Sequence, residues 1–494
     1  MDQNRLNLLN LQLIPQSLVT HNGVEYGLAR LADSLRLVVS ADYHSTVLST
    51  FKGDITSTTG KSLLVGPLNP QNAAALRFQL PWLQPCLLGL STSAGMGDRI
   101  GLATPGHVRA VRATGSKVAP IFTQQSIREM ERTGRTPQQV MDDAMWGLFS
   151  ENWKGGFGAD ADHLKTTQDI DVCLEAGYTF FTIDPGAHVE NRAETAGLSE
   201  LRELSTKLPS EMQKNATGLL NKTFQIEQVK VTFDESTLLK AMVKYGWAVQ
   251  HVRMMFEYLV NTAGERTFEL EVSVDETDQP TSHAEHIYVA SELKRLGVKW
   301  VSLAPRSVGR FEKGVNYIGD LAAYETDFAG HAAIARYFGP YKLSLHSGSD
   351  KYSIYGIAMK QTRGLVHLKT AGTSYLEALH TLASLDVDLL REIYTFARER
   401  FETDKATYHI SAQLSRAALP GEVKDWAGLI NQFDAREILH VTFGSVLKEQ
   451  TADGKKRFYD RLVKILKHNP ERYAENLKQH FIRHLQPFSQ VIKE

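Results

Sequence analysis

Four consecutive residues, Asp160-Ala161-Asp162-His163, put two carboxylates and an imidazole one residue after the glycine-rich run Gly155-Gly156-Phe157-Gly158. In extended chain, Asp160 and Asp162 point to one side of the strand and Ala161 and His163 to the other. Where such a strand ends and turns, Asp162 and His163 can both reach one cavity. A neutral imidazole there can bind a divalent metal, and the neighbouring carboxylate can carry a proton beside it. Taken alone, the four residues read better as an Asp-rich loop with a surface histidine.

A second cluster, His346-Ser347-Gly348-Ser349-Asp350-Lys351, changes that reading. It follows the apolar run Lys342-Leu343-Ser344-Leu345, and its small residues can expose backbone N–H groups to oxyanions. A third segment, Glu269-Leu270-Glu271-Val272, carries two carboxylates on one strand face. His163, His346 and Glu271 together make an open donor set for Zn²⁺ or Mn²⁺, with Asp275 and Glu276 competing for the place of Glu271. His188, just past Asp184-Pro185, is a reserve ligand. His283 and His286, three apart at a predicted helix start, read as surface residues and as further reserves.

The elements that must position these groups alternate. Strands are predicted at Val118–Phe122, up to Asp162 and His163, and at Tyr178–Asp184, Phe268–Val274, Lys299–Ala304, Lys342–Leu345 and Gly364–Lys369. Helical stretches separate them, one starting at Thr136-Pro137 with proline at its first position. About seven strand-then-helix units between residues 118 and 410 imply parallel strands with helical crossovers, and suit a closed barrel better than two Rossmann halves. The expected fold is α/β, a (β/α)8 TIM-type barrel over residues 116–410. It carries an α+β extension (1–115), a largely helical insertion (about 187–265) and a helical C-terminal region (411–494). Asp162, His163, Asp184, Glu271, Arg306, His346 and Lys369 all fall at or near predicted strand ends, where barrel enzymes do their chemistry.

Composition narrows the class. The chain has 494 residues, with 55 Lys+Arg against 56 Asp+Glu, so no nucleic-acid footprint or membrane-seeking basic face is expected. No apolar stretch approaches the ~18 residues needed to span a bilayer, and Met1 to Leu18 lacks the pattern of a signal peptide. Two cysteines, Cys86 and Cys173, form no framework and fit a reducing cytoplasm.

Two resemblances follow. The first strand, Asp162-His163, Glu269–Val272 and His346–Ser349 resemble, in order, motifs of class II, metal-dependent ketose-bisphosphate aldolases. In that family the histidine of the pair binds zinc and the aspartate moves protons. A further metal histidine of the aldolases has no counterpart here, where Ala304-Pro305-Arg306-Ser307 stands, so an altered ligand set is implied. Longer motifs give a closer resemblance over nearly the whole chain, to the tagaturonate/fructuronate epimerase family. They are Gly95–His107, Gln124–Met130, Gly158–Lys165 and His346–Lys351.

This resemblance implies epimerisation of ketohexuronates, or of fructose and tagatose, at C4. A base beside a C2 ketone removes the C3 proton but cannot reach the C4 one, so enolisation alone does not invert C4. Retro-aldol cleavage of C3–C4, rotation of the aldehyde and re-addition does. The implied cofactor is one divalent metal, Zn²⁺ first, with Mn²⁺, Ni²⁺ or Co²⁺ as alternatives, acting as a Lewis acid. Asp162 is the expected proton carrier, with Glu271 beside it. Asp98, Arg99, Gln124, Gln125, Asp184, Arg306, Ser347, Asp350, Lys351 and Lys369 are candidates for holding a sugar or sugar acid, and Lys313 is a further cation. The 187–265 insertion is the candidate lid.

The alternative of transient oxidation by NAD is disfavoured. Gly95, Gly97 and Gly101 do not space as GxGxxG and lack a clear strand–turn–helix context. A lyase releasing two products, an isomerase moving the carbonyl between C1 and C2, and a noncatalytic sugar-binding subunit stay open, as does a homo-oligomer.

Overall fold

Eight short parallel strands close on themselves in chain order in the computed structural model, which describes residues 1–489 apart from 33, 59, 116, 217 and 371. They are β1 (Ser93–Gly95), β2 (Ala119–Ser126), β3 (Gly158–Leu164), β4 (Phe180–Ile183), β5 (Glu269–Val274), β6 (Ser302–Pro305), β7 (Lys342–Leu345) and β8 (Val366–Lys369). β8 pairs with β1, Lys369 opposite Gly95, and this contact closes the barrel. All eight are short and buried, so most lack the alternating pattern of a half-exposed strand. Outside them lie amphipathic helices such as Pro137–Ser150, Thr167–Glu175 and His283–Arg295, each opened by a capping box.

The barrel starts earlier than residue 116. β1 and its crossover helix, Thr104–Ala113, are a full β/α unit inside the segment expected to be an extension. A three-residue strand is too short to show a period, which is why Gly95–His107 did not read as strand, turn and helix. Asp98 holds that turn, its carboxylate accepting N–H bonds from Ile100, Gly101 and Ala103. Gly101 sits at φ +86°, where a side chain would be strained.

Ahead of the barrel, residues 12–67 form a six-stranded antiparallel sheet. Its alternation serves two faces. Tyr26, Leu28, Leu37, Val39 and Leu64 join the main core, while Ala29, Val38 and Leu63 pack with Leu6 and Leu11.

Between β4 and β5, two short helices and a hairpin (Thr223–Ile226 with Val229–Thr232) lead into the 29-residue helix Glu235–Ala263. That helix buries Tyr245, Val249, Val252, Met255 and Leu259 in the main core, so it is the barrel's own crossover rather than a free lid. The last long helix, Pro470–Leu485, lies against Thr104–Ala113. A Cβ on Gly106 would come within 2.5 Å of the Leu477 Cβ, so only glycine permits this approach. No helix among the described residues is long and apolar enough to cross a membrane.

Candidate active site

The chemistry gathers at the C-terminal ends of the strands, and a backbone irregularity brings the Asp162-His163 pair into it. His163 has φ +55°, and two steps along β4, Phe181 to Ile183, match three along β3, Ala161 to Leu164. This bulge breaks the strict alternation, so neighbours that would point apart face the same mouth. His163 Nδ1 lies 2.7 Å from Asp162 Oδ1. From the opposite arc, the residue after β7 brings His346 to a ring-centroid distance of 4.9 Å from His163.

His346 is held on both nitrogens. Its Nε2 lies 2.5 Å from Glu271 Oε1 and its Nδ1 3.2 Å from Asp275 Oδ1. Beneath them sits Lys369, the last residue of β8, with its side chain 1% exposed. Its ammonium donates to Asp162 Oδ1 (2.6 Å) and Thr182 Oγ1 (2.7 Å), and lies 2.8 Å from Glu271 Oε1 and 2.9 Å from Asp160 Oδ2. Buried charges of this kind persist only when paired, and one lysine here serves three carboxylates.

The charge pattern follows from those contacts. Burial pushes the Asp162 carboxyl up, but the positive charges of His163 and Lys369 outweigh it and hold the group well below its ordinary value. Burial likewise opposes ionisation of Glu271, and Lys369 and His346 reverse the balance. Burial works against a proton on His346, yet Asp275 and Glu271 raise its pKa to about 10. Asp162 similarly raises that of His163.

Above these groups opens a cavity of about 660 Å³. Glu276 and Asp275 line one part, and Arg128, Arg306 and Lys313 another. The Arg306 guanidinium has no hydrogen-bond or ion-pair partner among the described residues. The Lys313 ammonium donates to Ser347 Oγ at 2.8 Å; burial, with Arg128 nearby, lowers its pKa. A small inner extension reaches Asp162, Gln124 and Arg99. Gln124 donates from Nε2 to Asp162 Oδ2 (3.1 Å), while its buried Oε1 has no partner. Arg99 is committed to Glu129, 2.9 Å from Nε, and lies 3.5 Å above the Phe443 ring.

The donors suit a divalent cation. Ligand atoms of Asp162, His163 and His346 lie within 4.8 Å of one another, and so do those of His163, Asp184 and Glu276. His163 belongs to both sets, and imidazole and carboxylate donors on an open cavity fit zinc or manganese. Lys165 reaches Asp184 (3.0 Å) and Glu276 (3.4 Å) on the same rim.

Several expected residues lie elsewhere. Glu271 stands behind His346 inside the barrel rather than in the cavity. Glu269 points to the other end, accepting from the Leu88 and Gly89 N–H groups. His188 stacks on His251, ring centroids 4.1 Å apart, away from the donors. Asp98 is spent on its turn, and Gln125, one step out of phase with Gln124, accepts from Arg135. Asp350 pairs with Arg436 (2.8 Å), and the Lys351 ammonium donates to the carbonyls of Glu312, Val315 and Ser349. Both of these brace the loop after β7. The 187–265 insertion, the candidate lid, contributes none of the described residues lining the cavity, which residues 407–411 border instead. Arg128 and Lys165 escaped individual notice, although each sits inside a motif already singled out.

Comparison with known proteins identifies the family. The family model described as "UxaE: tagaturonate epimerase" matches residues 14–488. A Thermotoga maritima protein named tagaturonate/fructuronate epimerase is 43% identical over 453 residues, 91% of each chain. Crystal structures of the fructuronate-tagaturonate epimerase of Cohnella laeviribosi, native and glycerol-bound, match with TM-score 0.92 at 36% identity over 98% of each chain. A match spanning most of the chain at this identity means that the protein belongs to the tagaturonate epimerase family.

Proposed function

We propose that this epimerase interconverts fructuronate and tagaturonate by breaking and remaking the C3–C4 bond beside a divalent metal held by His163 and His346. The observation that carries the reading is the meeting of these two imidazoles at one cavity that also exposes an unpaired guanidinium. Asp162 and the Asp184–Glu276 pair complete the donor candidates around His163. When bound, the cation supplies Lewis acidity toward the C2 oxygen of the substrate.

The chain's residues divide the remaining work. Asp162, kept ionised by His163 and Lys369, accepts the proton of the C4 hydroxyl as the C3–C4 bond opens and returns it after the aldehyde has turned. Gln124 fixes the second oxygen of that carboxylate. Glu271 and Asp275 each reach one nitrogen of His346; with one nitrogen given to the cation, the carboxylate on the other orients the ring. Arg306, with Arg128 and Lys313 on the same side, takes the C6 carboxylate of a uronate, for which a planar guanidinium is suited. The segment 407–411 limits escape of the aldehyde. One exposed and one buried free cysteine fit a reducing, cytoplasmic setting.

The test is direct. Metal-loaded protein is incubated separately with fructuronate, tagaturonate, fructose and tagatose, and products are identified by chromatography. C4 epimers of the two uronates, formed without net three-carbon products, support the reading. Accumulating fragments identify a lyase instead.

A further inference from the structure

His283 and His286 open the helix His283–Arg295, and the structure brings a third histidine, His331, to them from the helix Leu321–Phe338. His283 Nε2 and His331 Nε2 each lie 3.7 Å from the same atom, Asp327 Oδ1, and the three ligand groups fall within 4.8 Å of one another. Tetrahedral zinc with bonds of ~2.0–2.1 Å separates its ligand atoms by ~3.4 Å, so the site needs a small closure and release of His283 Nε2 from the Asp327 carbonyl, which now lies 3.0 Å away. We propose that His283, Asp327 and His331 form a second divalent-cation site, of the zinc type, on the outer wall of the barrel.

Three features mark the cluster as built for a ligand. First, His331 is fully buried and its Nε2 has no hydrogen-bond partner among the described residues. Its other nitrogen is fixed by His286 (Nδ1 to Nδ1, 2.9 Å), which in turn reaches Tyr341 OH at 2.8 Å. That chain can place the His331 proton on Nδ1 and leave the Nε2 lone pair facing Asp327. Second, burial favours neutral rings at His331 and His286, the form that ligates or relays to a ligand. Third, a Cβ on Gly330 would come 2.2 Å from His283 Nε2. Glycine is a poor residue for a helix interior, and here its bareness is what admits the His283 ring.

The site would fasten the rim of the mouth. Asp327 Oδ2 accepts from the Val308 N–H at 3.5 Å, and Thr281, just ahead of His283, exchanges backbone and hydroxyl hydrogen bonds with Arg306. A cation on Asp327 therefore braces the loop that carries Arg306. Three protein ligands leave a fourth position for water.

The experiment counts metal. In the His163→Ala/His346→Ala protein, which lacks the donors at the mouth, equilibrium dialysis against Co²⁺ is expected to leave about one equivalent bound with the visible spectrum of a tetrahedral site. Adding His283→Ala or Asp327→Ala is expected to lower that occupancy at least tenfold; His283 is partly exposed, so its loss spares the core. In the otherwise native chain the same His283→Ala change is expected to take bound metal from about two equivalents to about one. A folded mouth variant that binds no Co²⁺, or one whose equivalent survives both substitutions, overturns the proposal.

Discussion

The rings of His163 and His346, carried at the ends of β3 and β7 on different arcs of the barrel, lie 4.9 Å apart with their planes at 52°. His163 has Asp162 as its carboxylate, and His346 has Asp275 and Glu271. The carboxylates draw protons onto the rings, while the charge of His346 opposes that of His163. One divalent cation can replace those protons and remove that repulsion.

Metal uptake should therefore release protons and strengthen with pH. The pKa of His346 is raised from 6.5 to about 10, so below this value its proton competes with the cation. The sign is opposite for the metal-free fold. There the raised pKa contributes stability that is full below 6.5 and is lost as pH climbs toward about 10. Calorimetric titration with Zn²⁺ in buffers of different ionisation enthalpy checks the first point, and denaturation of the metal-free protein across that window checks the second. A binding enthalpy independent of buffer contradicts the assignment of His346.

Asp162→Asn removes the proton acceptor and keeps the shape. Turnover is expected to fall about 10²–10⁴-fold, while the two imidazoles keep the metal bound. Stopped-time chromatography and metal analysis of the same preparation give both numbers. A variant with near-native turnover shows that another group carries the proton.

Lys369→Met strands Asp160, Asp162 and Glu271 without their shared counter-ion inside the barrel. Loss of one partner from a buried ion cluster costs about 3–5 kcal/mol. Chemical denaturation should show this as a lower midpoint at neutral pH, recovering partly toward acid as the carboxylates take up protons. A midpoint that does not move would assign Lys369 to the substrate instead of the barrel interior.

Arg306→Gln should discriminate between substrates. A hydrogen bond to a charged group contributes about 1.5–3 kcal/mol, or roughly 10–150-fold in KM for a uronate. Fructose and tagatose, which lack the carboxylate, should change far less. Equal losses on both kinds of substrate place the uronate group elsewhere in the cavity.

The parallel barrel and the two histidines were legible because apolar runs ending in polar residues recur along the chain, and those ends converge in any closed barrel. Less was legible where a contact depends on residues distant in sequence. Glu271 sits on the right strand, but Lys369 from β8 draws it inward, and no spacing records that pairing. Asp350 and Lys351 follow His346 directly, yet Arg436 and the 312–315 carbonyls hold them in the packing. The bulge at His163 was hidden too, since non-glycine residues give little warning of a positive φ. β1 was missed for brevity alone.

The central claim is that C4 is inverted by carbon–carbon cleavage at the His163–His346 centre. Fructuronate deuterated at C4 tests it in one measurement of rate and label. The account predicts tagaturonate that keeps the deuterium, formed with only a small secondary isotope effect and without solvent hydrogen at C4. A full primary isotope effect, or loss of the label, would mean that the C4–H bond breaks and would contradict it.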